Sequence, residues 1–336
     1  PLIIGPDSSV FNMTWYLEFA VMLGKALDVM DVFTYHIYSL GPGSPLLNPN
    51  MTDHMLNATK LQTLHITTDR AYEFVETLRK GGEKKFQLWC GEGGGAYNSG
   101  RNLFTNSFIS GFWFLDQLGT MAQQYHQAYC RQTLIGGFYG LLNITTMHVN
   151  PDYYTALLWR RVMGRKVLSA DVKWTHYAGE ADTEEAEKTE KTEEKSEKIN
   201  KNRGESAFDS DFGAAFAPGY VGHKLRVYAH CTHRWFLEQH KQTNRRGGVT
   251  IAFINLSTHV KHTIITEGIA KGPRAEFILQ SPRKYDVHMG LYSHHVMLNG
   301  QTLKVINNEI PELRPNWVLD RSKPLELPPL SYGYIV

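Results

Sequence analysis

Short apolar runs alternate with amphipathic stretches through the first half of the chain, which is the pattern of β/α units built on a parallel sheet. The runs predict strands at 2–4, 29–35, 86–90 and 128–132, with helical stretches at 15–23, 69–79, 105–118 and 153–163 between them. Four β/α units result. Sheets of this kind present ligands at the carboxyl ends of their strands, so the polar residues that follow each run come first for inspection. They are Asp7, His36, Glu92 and Arg131.

From Val167 onward the pattern changes to short alternating strands, predicted at 225–231, 249–256, 262–266 and 277–279. Asn299-Gly300 between strand-like residues at 296–303 is the strongest short-range hairpin signal. A β-sandwich is expected here. Between about 179 and 210 the chain runs through Glu, Lys and Thr with almost no apolar residue, too little to offset chain entropy. That segment is expected to be disordered or a frayed, solvated helix, inserted between two strands of the second domain.

Composition narrows the classes. With 35 basic against 33 acidic side chains, the net charge of +2 gives no global field for nucleic acid. The apolar stretches fall short of the roughly 18 to 20 residues of a membrane span. Asn-x-Ser/Thr sequons at Asn12, Asn50, Asn57, Asn143 and Asn255 point toward a secretory origin as N-glycan acceptors, although the opening Pro1-Leu2-Ile3-Ile4-Gly5 has none of the character of a signal peptide. Cys90, Cys130 and Cys231 form neither a zinc spacing nor a redox pair.

The chemistry centres on Glu92, which follows a strand and precedes Gly93, Gly94 and Gly95. Glycines there let a sugar ring and backbone amides approach a carboxylate closely; the same glycines also suit a plain tight turn with a solvated Glu92. In Thr34-Tyr35-His36-Ile37-Tyr38, alternation sends His36 and Tyr38 to one face. A Tyr38 hydroxyl on that face could orient a nucleophilic carboxylate, whereas His36 could equally be a core histidine. Arg131 is open to two roles, positioning a carboxylate or bracing the sheet.

Several strings taken together resemble the heparanase family, glycoside hydrolase family 79. They are Gly5-Pro6-Asp7, the Thr34–Tyr38 string, Trp89-Cys90-Gly91-Glu92 with Ala96-Tyr97-Asn98-Ser99-Gly100, Tyr129-Cys130-Arg131-Gln132, Asn150-Pro151-Asp152-Tyr153-Tyr154 and Leu225-Arg226-Val227-Tyr228-Ala229-His230-Cys231. The likeness is strongest to plant heparanase-like glucuronidases and spans nearly all of the chain outside the charged segment. It implies a (β/α)8 TIM barrel packed on a β-sandwich domain and retaining hydrolysis of β-linked glucuronides, with two carboxyl groups about 5 to 5.5 Å apart. Glu92 takes the position of the nucleophile, and His36 and Tyr38 line the site beside it. Tyr97, Asn98, Ser99 and Gly100 match the loop that binds the uronate carboxylate, with Tyr139 as the accompanying tyrosine.

Two departures from the family pattern matter. The acid/base glutamate lies in an Asn-Glu-Pro motif, and no Asn-Glu-Pro occurs in this sequence. Four β/α units are also about half of the roughly 250 residues of a barrel. The expectation is therefore an N-terminally incomplete chain: residues 1–165 as the C-terminal half of the barrel, strands five to eight, and residues 166–336 as the sandwich. Val10 and Asn12 stand where animal heparanases carry Gln and Arg, which speaks against a heparan-specific subsite, and Cys231 matches a cysteine that relatives pair with one further on. The implied partners are a glucuronic-acid-containing glycan and the missing half of the barrel, with peripheral membrane or cell-wall association. No cofactor is implied, because side chains carry this chemistry. The implied location is the secretory pathway, extracellular space, cell wall, lysosome or vacuole. The competing expectation is a non-catalytic glycan-binding or scaffold half-barrel.

Overall fold

A computed structural model describes residues 1–82, 85–170, 172, 224–241, 247–266, 273–282, 287–320 and 322–336. The charged stretch at 179–210 lies outside these residues. Pro1–Ala170 and the described residues from 224 onward belong to one compact unit.

The first part is a parallel sheet of β1 (Ile4–Ser8), β2 (Val32–Ile37), β4 (Gln87–Gly93) and β6 (Ala128–Arg131), in the order β1-β2-β4-β6. Helix α1 (Met13–Leu23) connects β1 to β2; α2 (Met51–Leu56), α3 (Ala58–Gln62) and α4 (Leu64–Lys80) connect β2 to β4; α5 (Ser110–Gln123) connects β4 to β6. The short strands β3 (Gly41–Pro42) and β5 (Ala96–Tyr97) pair beyond the carboxyl ends of β2 and β4. Val32, Phe33 and Tyr35 of β2 are fully buried, as its place inside the sheet allows. Asn12 caps α1 by accepting from the Trp15 amide at 3.0 Å.

After α6 (Pro151–Val162) the chain enters an antiparallel sheet made of β7 (Met163–Leu168), β8 (Leu225–Thr232), β9 (Val249–Asn255), β11 (Arg274–Gln280), β12 (Met297–Leu298), β13 (Gln301–Thr302), β14 (Asn316–Val318) and β16 (Ser331–Ile335). β10 (His262–Ile264) and β15 (Leu325–Leu327) form a separate pair. The predicted hairpin is β12–β13, with Asn299 and Gly300 both at positive φ, 50° and 82°, as a type I′ turn requires.

Helix α5 joins the two sheets. Eleven of its residues are buried, because it packs beside α4 and α6 and against β8, β9 and β16. Two of its glycines serve that packing: a Cβ at Gly111 would collide with the Tyr332 phenol, and one at Gly119 with the Tyr228 ring. One apolar core consequently runs from Leu40, Met51 and Trp113 through to Phe277 and Tyr334. A second core, with Phe33, Tyr35, Phe74 and Leu88, lies between the parallel sheet and helices α1 and α4.

The elements differ from the sequence expectations in ways that have physical causes. β1 starts at Ile4 and continues through Gly5-Pro6-Asp7 instead of turning there; among the described residues it pairs only with β2, and an edge strand tolerates the missing proline N–H. β4 extends to Gly93, so Glu92 lies on the strand and not after it. Residues 101–109 form a stack of turns before α5 begins at Ser110, held by the Thr105, Asn106 and Ser107 side chains bonding to nearby backbone. Helices α2 and α3 and strands β7, β14, β15 and β16 had no counterpart among the predicted elements.

Candidate active site

The carboxyl ends of β1, β2 and β4 bring Asp7, His36 and Glu92 side by side. Cys90 pairs with Tyr35 and Glu92 with His36, leaving Gly91 as the extra residue of a bulge. A bulge re-aims the side chain that follows it, and here that side chain is the Glu92 carboxylate, one-third exposed at 33%. The Tyr38 hydroxyl donates a hydrogen bond to Glu92 Oε1. His36 Nδ1 lies 3.9 Å from the same oxygen, while His36 Nε2 lies 3.2 Å from Asp7 Oδ2. Asp7 adopts a left-handed φ of 59°. Its carboxylate occupies the space a Cβ at Gly91 would take, so any larger residue there would displace Asp7 from His36.

Burial, and then the hydrogen bond to Glu92 and its charge, push the Tyr38 phenol well above its ordinary range. Tyr38 is therefore a protonated donor at every physiological pH. Behind the site, Cys90 is fully buried, and burial likewise raises its thiol. It has none of the exposure or positive surroundings that would activate it as a nucleophile.

A second wall comes from the segment after β4. Asn98, Ser99 and Gly100 take left-handed φ values of 59°, 69° and 72° in succession, which turns the backbone back on itself. The Tyr97 and Tyr139 rings each stand 6.4 Å from the Tyr38 ring. The Phe138 amide donates to the Ser99 carbonyl at 2.6 Å, tying the two loops together. Arg101, which sequence reasoning passed over, clamps the neighbouring loop by donating to the carbonyls of Gly43, Ser44 and Asn48 at 2.8, 2.7 and 2.6 Å. Nothing in local sequence marks it, because its partners are backbone carbonyls 53 or more positions away. Asp7 did carry a signal, its place at a strand end, but its contact with His36 comes from strand pairing alone.

Arg131 stands apart from this cluster. Its guanidinium lies 5.3 Å from the Trp113 ring and 4.3 Å from the Phe114 ring of α5. It pairs with Asp152 of α6 at 2.8 Å and donates to the Tyr139 carbonyl at 2.8 Å. Of the two roles open to it, bracing is the one these contacts describe, with an indirect hold on the Tyr139 loop. The sequons also differ in placement. Asn12 and Asn50 are exposed, and Asn57 and Asn143 are partly exposed. Asn255 is fully buried, with Nδ2 donating to the carbonyls of Val260, Leu327 and Pro328. That corrects the sequence expectation for Asn255, since the folded chain holds the atom that a glycan would need. Among the described residues, no group of three or more His, Cys, Asp or Glu side chains forms a metal site, and no helix is long and apolar enough to cross a membrane.

Residues 1–119 match glycosyl hydrolase family 79, N-terminal domain. The family 79 segment contains Asp7, His36, Tyr38, Glu92 and the 97–100 loop. Heparanase-like protein 3 of Arabidopsis thaliana is 44% identical over 168 residues, covering 50% of this chain and 29% of that protein. Baicalin-β-D-glucuronidase of Scutellaria baicalensis is 31% identical over 336 residues, covering all of this chain and 50% of that protein. The chain thus spans about half the length, or less, of these relatives. Among solved structures, a 4-O-α-L-rhamnosyl-β-D-glucuronidase from Fusarium oxysporum superposes with a TM-score of 0.58 at 11% identity, covering 98% of this chain and 58% of that one. At that identity the likeness concerns the fold, which is shared with glycosidases of TIM-barrel type.

Proposed function

We propose that the chain is the nucleophile-bearing part of a retaining glycoside hydrolase that acts on β-linked glucuronides. In this reading residues 1–165 are half of a (β/α)8 barrel, residues 166–336 are a β-sandwich domain, and the acid/base carboxylate is supplied from outside the chain. The observation that carries the reading is the Glu92 carboxylate at the end of a parallel strand, held by the Tyr38 hydroxyl, 3.9 Å from His36 and faced by an open loop with three left-handed residues.

Glu92 attacks the anomeric carbon and forms a glycosyl ester, the leaving oxygen takes a proton from the second carboxyl group, and water then releases the sugar. Tyr38 keeps the attacking oxygen oriented, and its donated bond is given up in part as the ester forms. The amides of Asn98, Ser99 and Gly100, with the Tyr139 hydroxyl, receive the uronate carboxylate. The exposed sequons Asn12 and Asn50 fit a secretory location.

A substrate whose leaving group needs no proton tests Glu92 without the second carboxylate. Incubated with 2-deoxy-2-fluoro-glucuronyl fluoride, the chain is expected to gain one sugar mass on the peptide that contains Glu92. Glu92→Gln is expected to slow labelling by about 10³-fold or more. Labelling of another residue, or equal labelling of the two proteins, would refute the assignment.

A further inference from the structure

Next to the candidate active site lies a recess of about 200 Å³, walled by Asn102, Asn106, Phe138, Asn143, Thr145 and Asn150. It is smaller than the roughly 300 Å³ at which pockets for drug-sized ligands begin, so it suits a single small ring. No charged side chain lines it.

Its amides are fixed in place. Asn106 and Asn150 are 4% and 3% exposed. Asn106 donates to Asn102 Oδ1 at 2.9 Å and accepts from the Leu103 amide at 2.8 Å. Asn143 Oδ1 accepts from the amides of Thr145 and Thr146 at 2.9 and 3.0 Å. Asn150 Nδ2 donates to the Gly140 carbonyl at 2.9 Å. Asn150 also stands at the N-cap position of α6, where an asparagine ordinarily turns Oδ1 onto a helix amide, yet its side chain makes no cap hydrogen bond. Among the described residues the Asn102 and Asn143 side-chain nitrogens and Asn150 Oδ1 make no hydrogen bond, which leaves two donors and one acceptor for a ligand.

Beside these amides Phe138 is 39% exposed. A preorganised, mainly polar set of neutral donors and acceptors beside a partly exposed aromatic side chain matches one chemistry well, a pyranose with hydroxyl edges. A uronate would find no cation here. We propose that this recess is an accessory binding site for a neutral pyranose ring. It is separate from the Glu92 site and connected to it through Phe138, whose amide is bonded to Ser99 at 2.6 Å and whose neighbour is Tyr139. A glycan with a glucuronide at one site could then be gripped through a neutral sugar at the other.

The test uses the full chain from a bacterial host, which leaves Asn143 without a glycan, labelled with ¹⁵N-asparagine. Titration with methyl β-D-glucopyranoside is expected to shift the Asn102 and Asn143 side-chain amide signals saturably, and methyl β-D-glucuronide to do so more weakly. Phe138→Ala is expected to weaken the binding about fivefold or more. Asn102→Asp, an exposed position, is expected to weaken it too, and gives a second measure should Phe138→Ala disturb folding. Glu92→Gln should leave the affinity unchanged, so the outcome is independent of the nucleophile assignment. The proposal is overturned by the absence of saturable shifts up to about 100 mM sugar, by equal or tighter binding of the glucuronide, or by binding indifferent to both recess substitutions.

Discussion

Glu92 receives one hydroxyl donor, and that donor is itself constrained: Tyr38 stands between the Tyr97 and Tyr139 rings. Tyr38 keeps the attacking oxygen in line with the anomeric carbon, so Tyr38→Phe is expected to slow labelling of Glu92 by about 10-fold to 100-fold through lost orientation, with the melting temperature little changed because the lost hydroxyl reaches the partly exposed site. Loss of fold instead of rate would show that Tyr38 serves packing. A different residue governs stability in acid. His126 Nδ1 donates to the Gln124 carbonyl at 2.9 Å and Nε2 accepts from the Tyr35 hydroxyl at 2.8 Å, so the ring is held neutral, and burial lowers it to about 4. The unfolded imidazole titrates near 6.5. The stabilisation is complete above that pH and is lost as the pH falls toward 4, on the order of 3 kcal/mol. His65, lowered to about 4 by burial and then by Arg226, acts in the same direction. Urea melts at pH 7 and pH 5 should show about 2 kcal/mol of this loss, and His126→Gln should have a visibly flatter pH dependence. Glu92, His36 and Tyr38 were legible in the sequence because strand alternation and a strand end are local facts. Arg131 had two local interpretations, and only the positions of α5 and α6 separated them.

At the scale of elements, α5 decides how closely the two sheets approach. Glycine at position 119 costs the helix about 1 kcal/mol relative to alanine, so on propensity alone Gly119→Ala would stabilise it. The Tyr228 ring occupies the place of the added methyl, and overpacking a buried site costs about 1 to 3 kcal/mol. Steric cost wins, and the net expectation is destabilisation by up to about 2 kcal/mol, read as a lower urea midpoint with an unchanged slope. A higher midpoint would mean that the helix–sheet contact yields. The same interface holds a polar network in which Asp116 of α5 accepts from Arg226 and Tyr228 of β8, while Arg226 also donates to Gln62 of α3 at 3.0 Å. Apolar periodicity could locate α5, yet it gave no hint that Asp116 would be buried, because its partners lie 110 and 112 positions away.

For the molecule as a whole, the uncovered surface is informative. Leu2, Ile3 and Ile4 are about half exposed, and Val21, Met22 and Val29 are 80%, 86% and 60% exposed. Leu2 and Ile3 lead into β1 and Ile4 opens it, while Val21, Met22 and Val29 lie on α1 and the turn after it; among the described residues β1 pairs only with β2, and exposed apolar side chains together with an open sheet edge favour association. The chain is expected to self-associate at micromolar concentrations in sedimentation experiments, and Val21→Lys with Met22→Lys to weaken it. A monomer throughout that range would contradict this. The sequence by itself determined the order of four β/α units followed by antiparallel strands, the Asn299-Gly300 hairpin and the family strings around Glu92, all of which rest on contacts or propensities within a few residues. Only the tertiary structure decided that Asp7, His36 and Glu92 converge, that Arg131 braces helices, that Asn255 is buried and that four asparagines share one recess. Each of those facts depends on strand register and loop packing between distant segments, which no local pattern encodes.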